Sequence, residues 1–326
     1  GIRDTSRGLV GSDMCIRDRD NAMCDTCAEH AHEHTHGDKQ HDRGLPQHAH
    51  GDDFRVVVTG KGGVGKTTLT AMLARRMSRR GYRVLALDAD PQMNLPYALG
   101  IEPAEVRGLV PLSENTDYVE EKTGVLPGEG WGLFFRLNPD VDDVVDRFGV
   151  RGPDGVRLVV MGNTVQPAAG CLCPENALLA SVANAMSLRH DEAILMDTQA
   201  GFEHFGRALA KGFHHAVIVT DPTFNGLQVA LRAARLAREL GIGAVHLVVN
   251  RARNALDFDR SLGRLEAEGG FPFTSRHWLP MDPLLPRIEP SIGPLFERPA
   301  TPFDQRVEGL LDALLPIEEL VRECVS

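Results

Sequence analysis

The stretch FRVVVTGKGGVGKTTLTAMLARRMSRRG (Phe54–Gly81) decides the fold of this chain. Its first seven residues are mostly β-branched and apolar and end in glycine, which predicts a short buried strand. From Lys66 to Arg80 the apolar side chains recur at helical spacing, and Gly81 follows, so we predict a helix there. A strand, a glycine-rich loop and a helix in this order predict a phosphate-binding loop in an α/β protein.

Apolar strands and amphipathic helices alternate along the rest of the chain. We predict strands at 83–88 and near Val156, Ile194, Val217 and Val248, and helices over 175–188, 204–211, 226–240 and 307–325. This alternation is typical of a three-layer P-loop NTPase fold, in which a mostly parallel central sheet has helices on both faces. Residues 100–155 are less regular, and we interpret them as an insertion or lid with short helices. We expect residues 54–326 to form one domain.

The first 53 residues have a different composition. Residues 1–19 resemble the translation of a sequencing adapter, and we interpret residues 1–22 as an artefact or a disordered leader. Seven of the 13 histidines and three of the six cysteines lie before residue 51, without apolar periodicity. Residues 23–53 are therefore predicted to be a disordered metal-binding tail, or a solvated low-complexity tail without a role. Its candidate metal ligands are Cys24, Cys27, His30, His32, His34 and His36.

Composition excludes several classes of protein. The 326 residues carry a formal net charge of −10, which argues against nucleic acid or an anionic membrane as a partner. No apolar run is as long as a membrane span and no secretory signal is visible, so we expect a cytoplasmic protein. Six cysteines are too few for a disulfide scaffold, and clustered cysteines in such a chain favour metal binding or redox chemistry.

The glycine-rich loop, residues 60–68, matches G-x-x-x-x-G-K-[ST]. Its backbone amides and the following helix N-terminus would cradle phosphate, because both present partial positive charge. Lys66 would reach the β and γ phosphates, and the Thr67 hydroxyl would bind Mg²⁺. A plain turn between strand and helix is disfavoured because the motif and both flanks match. The predicted nucleotide contacts are Gly60, Gly62, Gly63, Val64, Gly65, Lys66, Thr67 and Thr68.

Acidic residues end two of the predicted strands. Asp88 is the last residue of the strand at 83–88, and Asp90 lies in the turn after it. Asp197 is the last residue of EAILMD. Since ligands of open α/β sheets bind at the carboxyl ends of the strands, these acids should meet the phosphate loop. We expect Asp88 to support Mg²⁺ or its water shell. Asp197 is a Walker B-like aspartate that begins a second switch segment, Asp197–Gly201.

The end of a later strand indicates the nucleotide base. GTP-specific P-loop proteins carry an aspartate three residues after an asparagine at this place, whereas here Arg253 stands three residues after Asn250. The sequence therefore favours adenine, with Asn250 as the base contact and the Leu279–Pro280 segment stacking nearby.

A second chemical motif is Gly170-Cys171-Leu172-Cys173-Pro174. Two cysteines at i and i+2 before a predicted helix would share one direction, and the helix N-terminus would lower their thiol pKa values. The alternative is a pair of small buried apolar residues. A tetrahedral Zn²⁺ or square-planar Ni²⁺ site needs four ligands, so two more would come from a second subunit or from tail histidines.

The loop sequence KGGVGKTT (61–68) resembles the deviant Walker A motif of the MinD, ParA, nitrogenase iron protein and arsenite ATPase group. The resemblance implies that Lys61 acts in trans on the nucleotide of a partner, within an ATP-sandwich homodimer. It also implies that Asp90, the aspartate before a proline in switch I, positions or activates the attacking water. The alternative role of Lys61 is to stabilise its own loop.

Three further segments, GCLCPENALL (170–179), MDTQAGFEHFGR (196–207) and NPDVDDVVDRFGV (138–150), resemble the CooC family of nickel-insertion ATPases. This implies an ATP- and Mg²⁺-dependent ATPase whose dimer binds Ni²⁺ or Zn²⁺ at Cys171 and Cys173. Its implied partner is the apoprotein of a nickel enzyme, carbon monoxide dehydrogenase. Gln199 departs from the family, which more often carries Glu there. The Cys/His tail resembles the N-terminus of the hydrogenase nickel GTPase HypB.

Two alternative functions remain open at this point. A MinD/ParA-type positioning ATPase needs a membrane helix or a basic DNA patch, and the acidic C-terminal region disfavours the former. An iron–sulfur carrier ATPase of the Mrp type carries Cys-Pro-x-Cys, which Cys171-Leu172-Cys173 does not match.

Overall fold

The structure is a computed structural model that describes residues 54–126, 136, 140–162, 174–185, 192–200 and 212–315. Its strands are β1 (Phe54–Gly60), β2 (Arg83–Ala89), β3 (Val150–Arg151), β4 (Arg157–Val160), β5 (Glu192–Thr198), β6 (His215–Thr220), β7 (Ala244–Asn250) and β8 (Ser275–Leu279). They form one sheet in the order β3-β4-β2-β5-β1-β6-β7-β8. Neighbouring strands are parallel except for β3, which pairs antiparallel with β4 at one edge.

Helices connect these strands. They are α1 (Lys66–Arg79), α2 (Leu95–Leu99), α3 (Pro103–Val106), α4 (Thr116–Thr123), α5 (Val144–Phe148), α6 (Pro174–Ala185), α7 (Phe224–Glu239), α8 (Ala255–Ala267), α9 (Leu285–Ile288) and α10 (Pro302–Leu314). Among the described residues, no helix is both long enough and apolar enough to cross a membrane.

The core lies on both faces of the sheet. Within β1, Val57 packs into one apolar cluster with α6 and α7, whereas Val56 and Val58 pack into the other with α1 and α10. Successive strand side chains point to opposite faces, so a strand covered on both faces must be apolar at every position. The predicted three-layer α/β fold, with a mostly parallel sheet, is therefore confirmed.

The edges of the fold differ from the sequence-based expectations. β3, α8 and β8 were not predicted from the sequence. The two residues of β3 are too few to show a pattern, and SRHWL in β8 has no apolar run. The last helix begins at Pro302, earlier than predicted, because Thr301 and Asp304 form a capping box there. The predicted helix over 204–211 and residues 316–326 lie outside the described residues. The short helices α3 to α5 agree with the expected insertion at 100–155.

Candidate nucleotide-binding site

The sheet register brings the predicted functional residues together at the carboxyl ends of the strands. Gly60 of β1 pairs with Val219 of β6, and Asp88 of β2 pairs with Asp197 of β5. All four strands are parallel, so their carboxyl ends meet where α1 begins. The acids and the phosphate loop, which the sequence predicts to meet at the carboxyl ends of the strands, lie together there.

Two glycines in the loop stand where a side chain does not fit. A Cβ on Gly60 would lie 2.0 Å from the Val219 carbonyl oxygen, and one on Gly65 would lie 2.7 Å from Asn250 Nδ2. Both have positive φ values, 144° and 94°, which L side chains rarely adopt. The loop therefore runs tightly over the sheet edge into the N-terminus of α1, and this arrangement suits a phosphate group.

Lys66 is folded back into the loop. Its side chain is buried, and Nζ donates a hydrogen bond of 3.3 Å to the carbonyl oxygen of Lys61. Burial lowers the pKa of Lys66, while the carboxylates of Asp197 and Asp90 oppose that shift. The ammonium group thus lies among carboxylates and loop carbonyls, and anionic phosphate oxygens would stabilise its charge.

Asp197 lies beneath the loop, fully buried. Thr67 Oγ1 donates to its Oδ2 at 2.6 Å, and Thr70 Oγ1 donates to its Oδ1 at 3.2 Å. Burial raises the pKa of Asp197 to about 6, although the Thr67 hydrogen bond and the Lys66 charge lower it. The predicted Mg²⁺ ligand Thr67 and the Walker B-like aspartate are therefore in direct contact.

Asp88 is the second buried carboxylate of the site. Its two oxygens accept hydrogen bonds of 3.0 Å from the backbone amides of Asp90 and Leu95. Burial, followed by the nearby Asp197 carboxylate, raises the pKa of Asp88 well above its usual range. Asp88 thus shapes the segment between β2 and α2, and a nearby cation would favour its ionised form.

These groups fit a magnesium nucleotide. Asp88 and Asp197 are buried and paired across neighbouring strands, and Lys66 is a nearby cation of Asp197. Hydroxyl and carboxylate oxygens are the ligands that Mg²⁺ prefers, and a divalent cation would relieve the electrostatic cost of burying two carboxylates. The site therefore suits Mg²⁺ bound together with phosphate.

Asp90 lies above this pair, half-buried at the start of a turn. Its Oδ1 accepts a hydrogen bond of 3.0 Å from the Gln92 amide, and its carbonyl accepts one of 2.9 Å from the Met93 amide. Met93 has a φ of 49°, which makes this turn sharp. The carboxylate of Asp90 is thus held by its own turn, and its charge raises the pKa of the nearby Lys66.

Asn250 fixes the loop from the far side. Its Nδ2 donates 2.8 Å to the carbonyl oxygen of Val64, and its Oδ1 accepts 2.9 Å from the Arg251 amide. A shallow cavity beside Asn250 is lined by Thr68, Leu69 and Pro280. The predicted base contacts Asn250 and Pro280 therefore lie together next to α1. The loop-anchoring contact of Asn250 was not predicted, because it joins residues 186 positions apart.

Other predicted site residues have different outcomes. Lys61 is part-exposed, and its Nζ lies 3.8 Å from Asp221 Oδ2. The predicted metal ligands Cys171 and Cys173, and those of the tail, lie outside the described residues. In the described part of the chain, no group of three or more His, Cys, Asp or Glu side chains is arranged to hold a metal ion.

The fold and site define a P-loop nucleotide-binding protein. Residues 55–289 match the CobQ/CobB/MinD/ParA nucleotide binding domain, and the chain belongs to this family of ATPases.

Within that family, the chain is 39% identical to the carbon monoxide dehydrogenase accessory protein CooC of Rhodospirillum rubrum over 225 residues. That match covers 68% of this chain and 84% of the relative, and it bears out the CooC resemblance. The chain is also 38% identical over 201 residues to an uncharacterized ATP-binding protein of Methanocaldococcus jannaschii, covering 62% of this chain and 76% of that protein.

Solved structures show the same fold. The septum site-determining protein MinD complexed with Mg-ADP from Pyrococcus horikoshii superposes with a TM-score of 0.55 at 20% identity. It covers 82% of this chain and 98% of that one. A chain of the MinC:MinD cell division protein complex of Aquifex aeolicus gives a TM-score of 0.54 at 21% identity, covering 82% of this chain and 95% of that one.

Proposed function

We propose that this chain is a cytoplasmic, ATP-hydrolysing nickel metallochaperone that helps to load nickel into the active-site cluster of a carbon monoxide dehydrogenase. The observation that carries this proposal is the 39% identity to the CooC accessory protein over 84% of that relative's length. Nickel is the cargo in this proposal, and ATP with Mg²⁺ drives the cycle.

The residues of the nucleotide site have distinct roles in hydrolysis. The magnesium ion would supply positive charge at the phosphates. Thr67 and Asp197, now 2.6 Å apart, would orient toward it, and Asp88 would act through a water. Lys66 would exchange its 3.3 Å contact with the Lys61 carbonyl for phosphate oxygens. Asp90, held by its turn, would position the attacking water and accept its proton.

The active form in this proposal is a homodimer that closes around two nucleotides. Lys61 supports it because its part-exposed side chain stands at the nucleotide edge, next to the phosphate loop but directed to Asp221. A lysine that crosses to the partner's phosphates would stabilise the charge of the transition state, as an arginine finger does.

The proposed nickel site is Cys171 and Cys173 with the same pair of a partner. Immediately after this pair, α6 packs Leu178 and Leu179 into the core, and Arg55 of β1 donates 2.8 Å to the Ala183 carbonyl of α6. Arg55 lies near the start of β1 and Ala183 near the end of α6, so this contact fixes α6 to the sheet whose opposite end carries the phosphate loop. A change in the spacing of the cysteine pairs on nucleotide closure would make metal and nucleotide change each other's affinity by the same factor.

Metal titration of the full chain tests the site. We compare the wild type with Cys171→Ser/Cys173→Ser, titrating Ni²⁺ with and without ADP, so that metal bound by the tail cancels in the difference. We expect the difference to be about half a tight equivalent per chain, as four-ligand sites shared by two chains require. A difference of one equivalent per chain, or none, contradicts the shared site.

A second measurement tests the client. Nickel-free carbon monoxide dehydrogenase is incubated with Ni²⁺, MgATP and either the wild type or the double cysteine variant, and carbon monoxide oxidation is followed. Faster activation by the wild type alone supports the proposal. Equal activation, combined with ATP-dependent binding to lipid vesicles or DNA, would instead support a positioning ATPase.

A further inference from the structure

The sheet register places Asp221 beside Lys61. Lys61 follows Gly60 at the end of β1, and Asp221 follows Thr220 at the end of the neighbouring strand β6. Gly60 pairs with Val219, so the segments that follow β1 and β6 leave the sheet side by side. Lys61 Nζ lies 3.8 Å from Asp221 Oδ2, with 38% and 21% of the two side chains exposed.

The carboxylate of Asp221 is fixed independently of Lys61. Its Oδ1 accepts hydrogen bonds from the amide and the hydroxyl of Thr223, the N-cap residue of α7. Gly226 makes room for it, because a Cβ there would lie 2.0 Å from Asp221 Oδ1. One oxygen therefore holds the turn, and the other is left for Lys61. Releasing the lysine requires no change in this turn.

We propose that Asp221 is a positioning residue for Lys61: it holds this lysine in its own protomer, and its release accompanies ATP-dependent dimer formation. This inference rests on the proposed trans role of Lys61. Because a lysine cannot contact both Asp221 and the partner's phosphates, the contact stabilises the monomer and weakens the dimer.

Loss of the Lys61–Asp221 contact should have a modest effect on one protomer and a larger effect on the dimerisation equilibrium. A part-exposed ion pair without a hydrogen bond changes an equilibrium by about two- to fivefold. Closing the dimer breaks one such pair in each of two protomers, so the two factors multiply. Removing the Asp221 charge should tighten the dimer by about 4- to 25-fold.

The first arm of the test measures the dimer dissociation constant of the full chain with a non-hydrolysable ATP analogue, by sedimentation at low and high salt. Asp221→Asn keeps the acceptor oxygen for Thr223 but removes the charge. We expect tighter dimers, with the advantage shrinking toward onefold at about 0.5 M salt because exposed charges are screened. Asp142 lies beside Arg83 and Glu192, the first residues of β2 and β5, and therefore at the opposite end of the sheet. Asp142→Asn matches the charge change and should have no effect.

A helix-cap control separates charge from structure. Thr223→Val removes the hydroxyl that caps α7, which lowers stability without removing the Asp221 charge. Its dimer affinity should stay within about twofold of the wild type. A salt-dependent tightening in Thr223→Val equal to that of Asp221→Asn would overturn the proposal, since the turn and not the carboxylate would then be responsible.

The second arm needs no dimer. A small amine-acylating reagent is applied to the nucleotide-free protein, and labelling of Lys61 is followed by peptide mass spectrometry, with Lys122 as the internal reference because its partner is Asp143. Asp221→Asn should speed labelling of Lys61 by about two- to fivefold and leave Lys122 unchanged. An unchanged Lys61 rate, or faster labelling with unchanged dimer affinity, overturns the role of Asp221.

The two arms also separate this inference from the proposed function. If the wild type forms no ATP-dependent dimer, or Lys61→Ala dimerises normally, the trans role is wrong, and the dimer role of Asp221 is wrong with it. If the wild type dimerises and Lys61→Ala does not, the trans role stands, and the Asp221→Asn result alone decides the inference.

Discussion

The two ends of the central sheet both bury ionisable side chains, with opposite outcomes. At the carboxyl end, Asp88 and Asp197 are fully buried, and burial raises the pKa of each. They accept hydrogen bonds from hydroxyls and backbone amides, and Lys66 is the nearby cation that lowers the pKa of Asp197. Burial therefore makes a negative charge on either carboxylate electrostatically costly.

At the amino end, histidines of three neighbouring strands form a hydrogen-bonded row. His215 Nδ1 and His246 Nε2 are 3.1 Å apart, and Ser275 Oγ lies 2.7 Å from His246 Nδ1 and 2.8 Å from His277 Nε2. Burial lowers the pKa of His215 to about 4 and that of His246 to about 3. These side chains are therefore neutral at pH 7 and serve each other as donors and acceptors.

This difference between the aspartates and the histidines distinguishes a ligand-binding site from a structural hydrogen-bond network. Burial disfavours charge at both ends, but the histidines avoid the cost by remaining neutral, and a neutral row satisfies itself. Asp197, with a pKa of about 6, keeps a charge at pH 7 that protein groups only partly compensate, and a cation with phosphate would complete its coordination. Buried titratable groups thus indicate function where their charge stays uncompensated.

The largest expected effect concerns catalysis at the carboxyl end. Asp90→Ala should lower the rate of ATP hydrolysis by about 10²- to 10⁴-fold, because it removes the group that positions water and accepts a proton. The ATP dissociation constant should change by less than about threefold, as measured by calorimetry. A variant that still hydrolyses ATP at nearly the wild-type rate would show that Asp90 has another role. Lys66→Ala, by contrast, should weaken ATP binding itself.

The histidine row predicts acid sensitivity. A folded-state pKa below the unfolded value means that the unfolded state binds more protons, so stability is lost as the pH falls from about 6.5 toward 4. For the fully buried His246 the loss is on the order of 3–4 kcal/mol. Urea unfolding of the wild type and of His246→Gln across this range measures it. The variant should be less stable at pH 7.5 but lose less on acidification, whereas parallel curves would contradict the role of His246.

The carboxyl end predicts the opposite slope. The folded-state pKa of Asp197, about 6, lies above its unfolded value, so the folded state binds the extra proton and stability falls as pH rises from about 4 to 6. Asp197→Asn should therefore stabilise the nucleotide-free protein at pH 8 by about 1–3 kcal/mol, while losing the stabilisation that MgATP gives the wild type. Thermal unfolding with and without MgATP checks both, with Asp142→Asn as control. A destabilised nucleotide-free variant would show that the Thr67 and Thr70 hydrogen bonds outweigh the buried charge.

Much of the fold and of the nucleotide site was predictable from the sequence. Four loop glycines around Lys66, between an apolar strand and an amphipathic helix, specify the phosphate loop through local backbone geometry alone. Apolar strands covered on both faces imply parallel order, and parallel order implies that Asp88 and Asp197 meet at one edge. These features depend on periodicity and on neighbours along the chain.

Other contacts were decided only by the tertiary structure. Asp221 faces Lys61 because β6 pairs with β1, Asn250 reaches the Val64 carbonyl from β7 on the far side of β6, and His246 joins His215 because β6 and β7 pair in a definite register. Local sequence patterns do not specify which strands are neighbours in the sheet, because strand order and register depend on the packing of the whole core. The sequence by itself therefore determined that a nucleotide site forms at the carboxyl edge of a parallel sheet, and the fold decided which distant side chains hold its lysine and its loop in place.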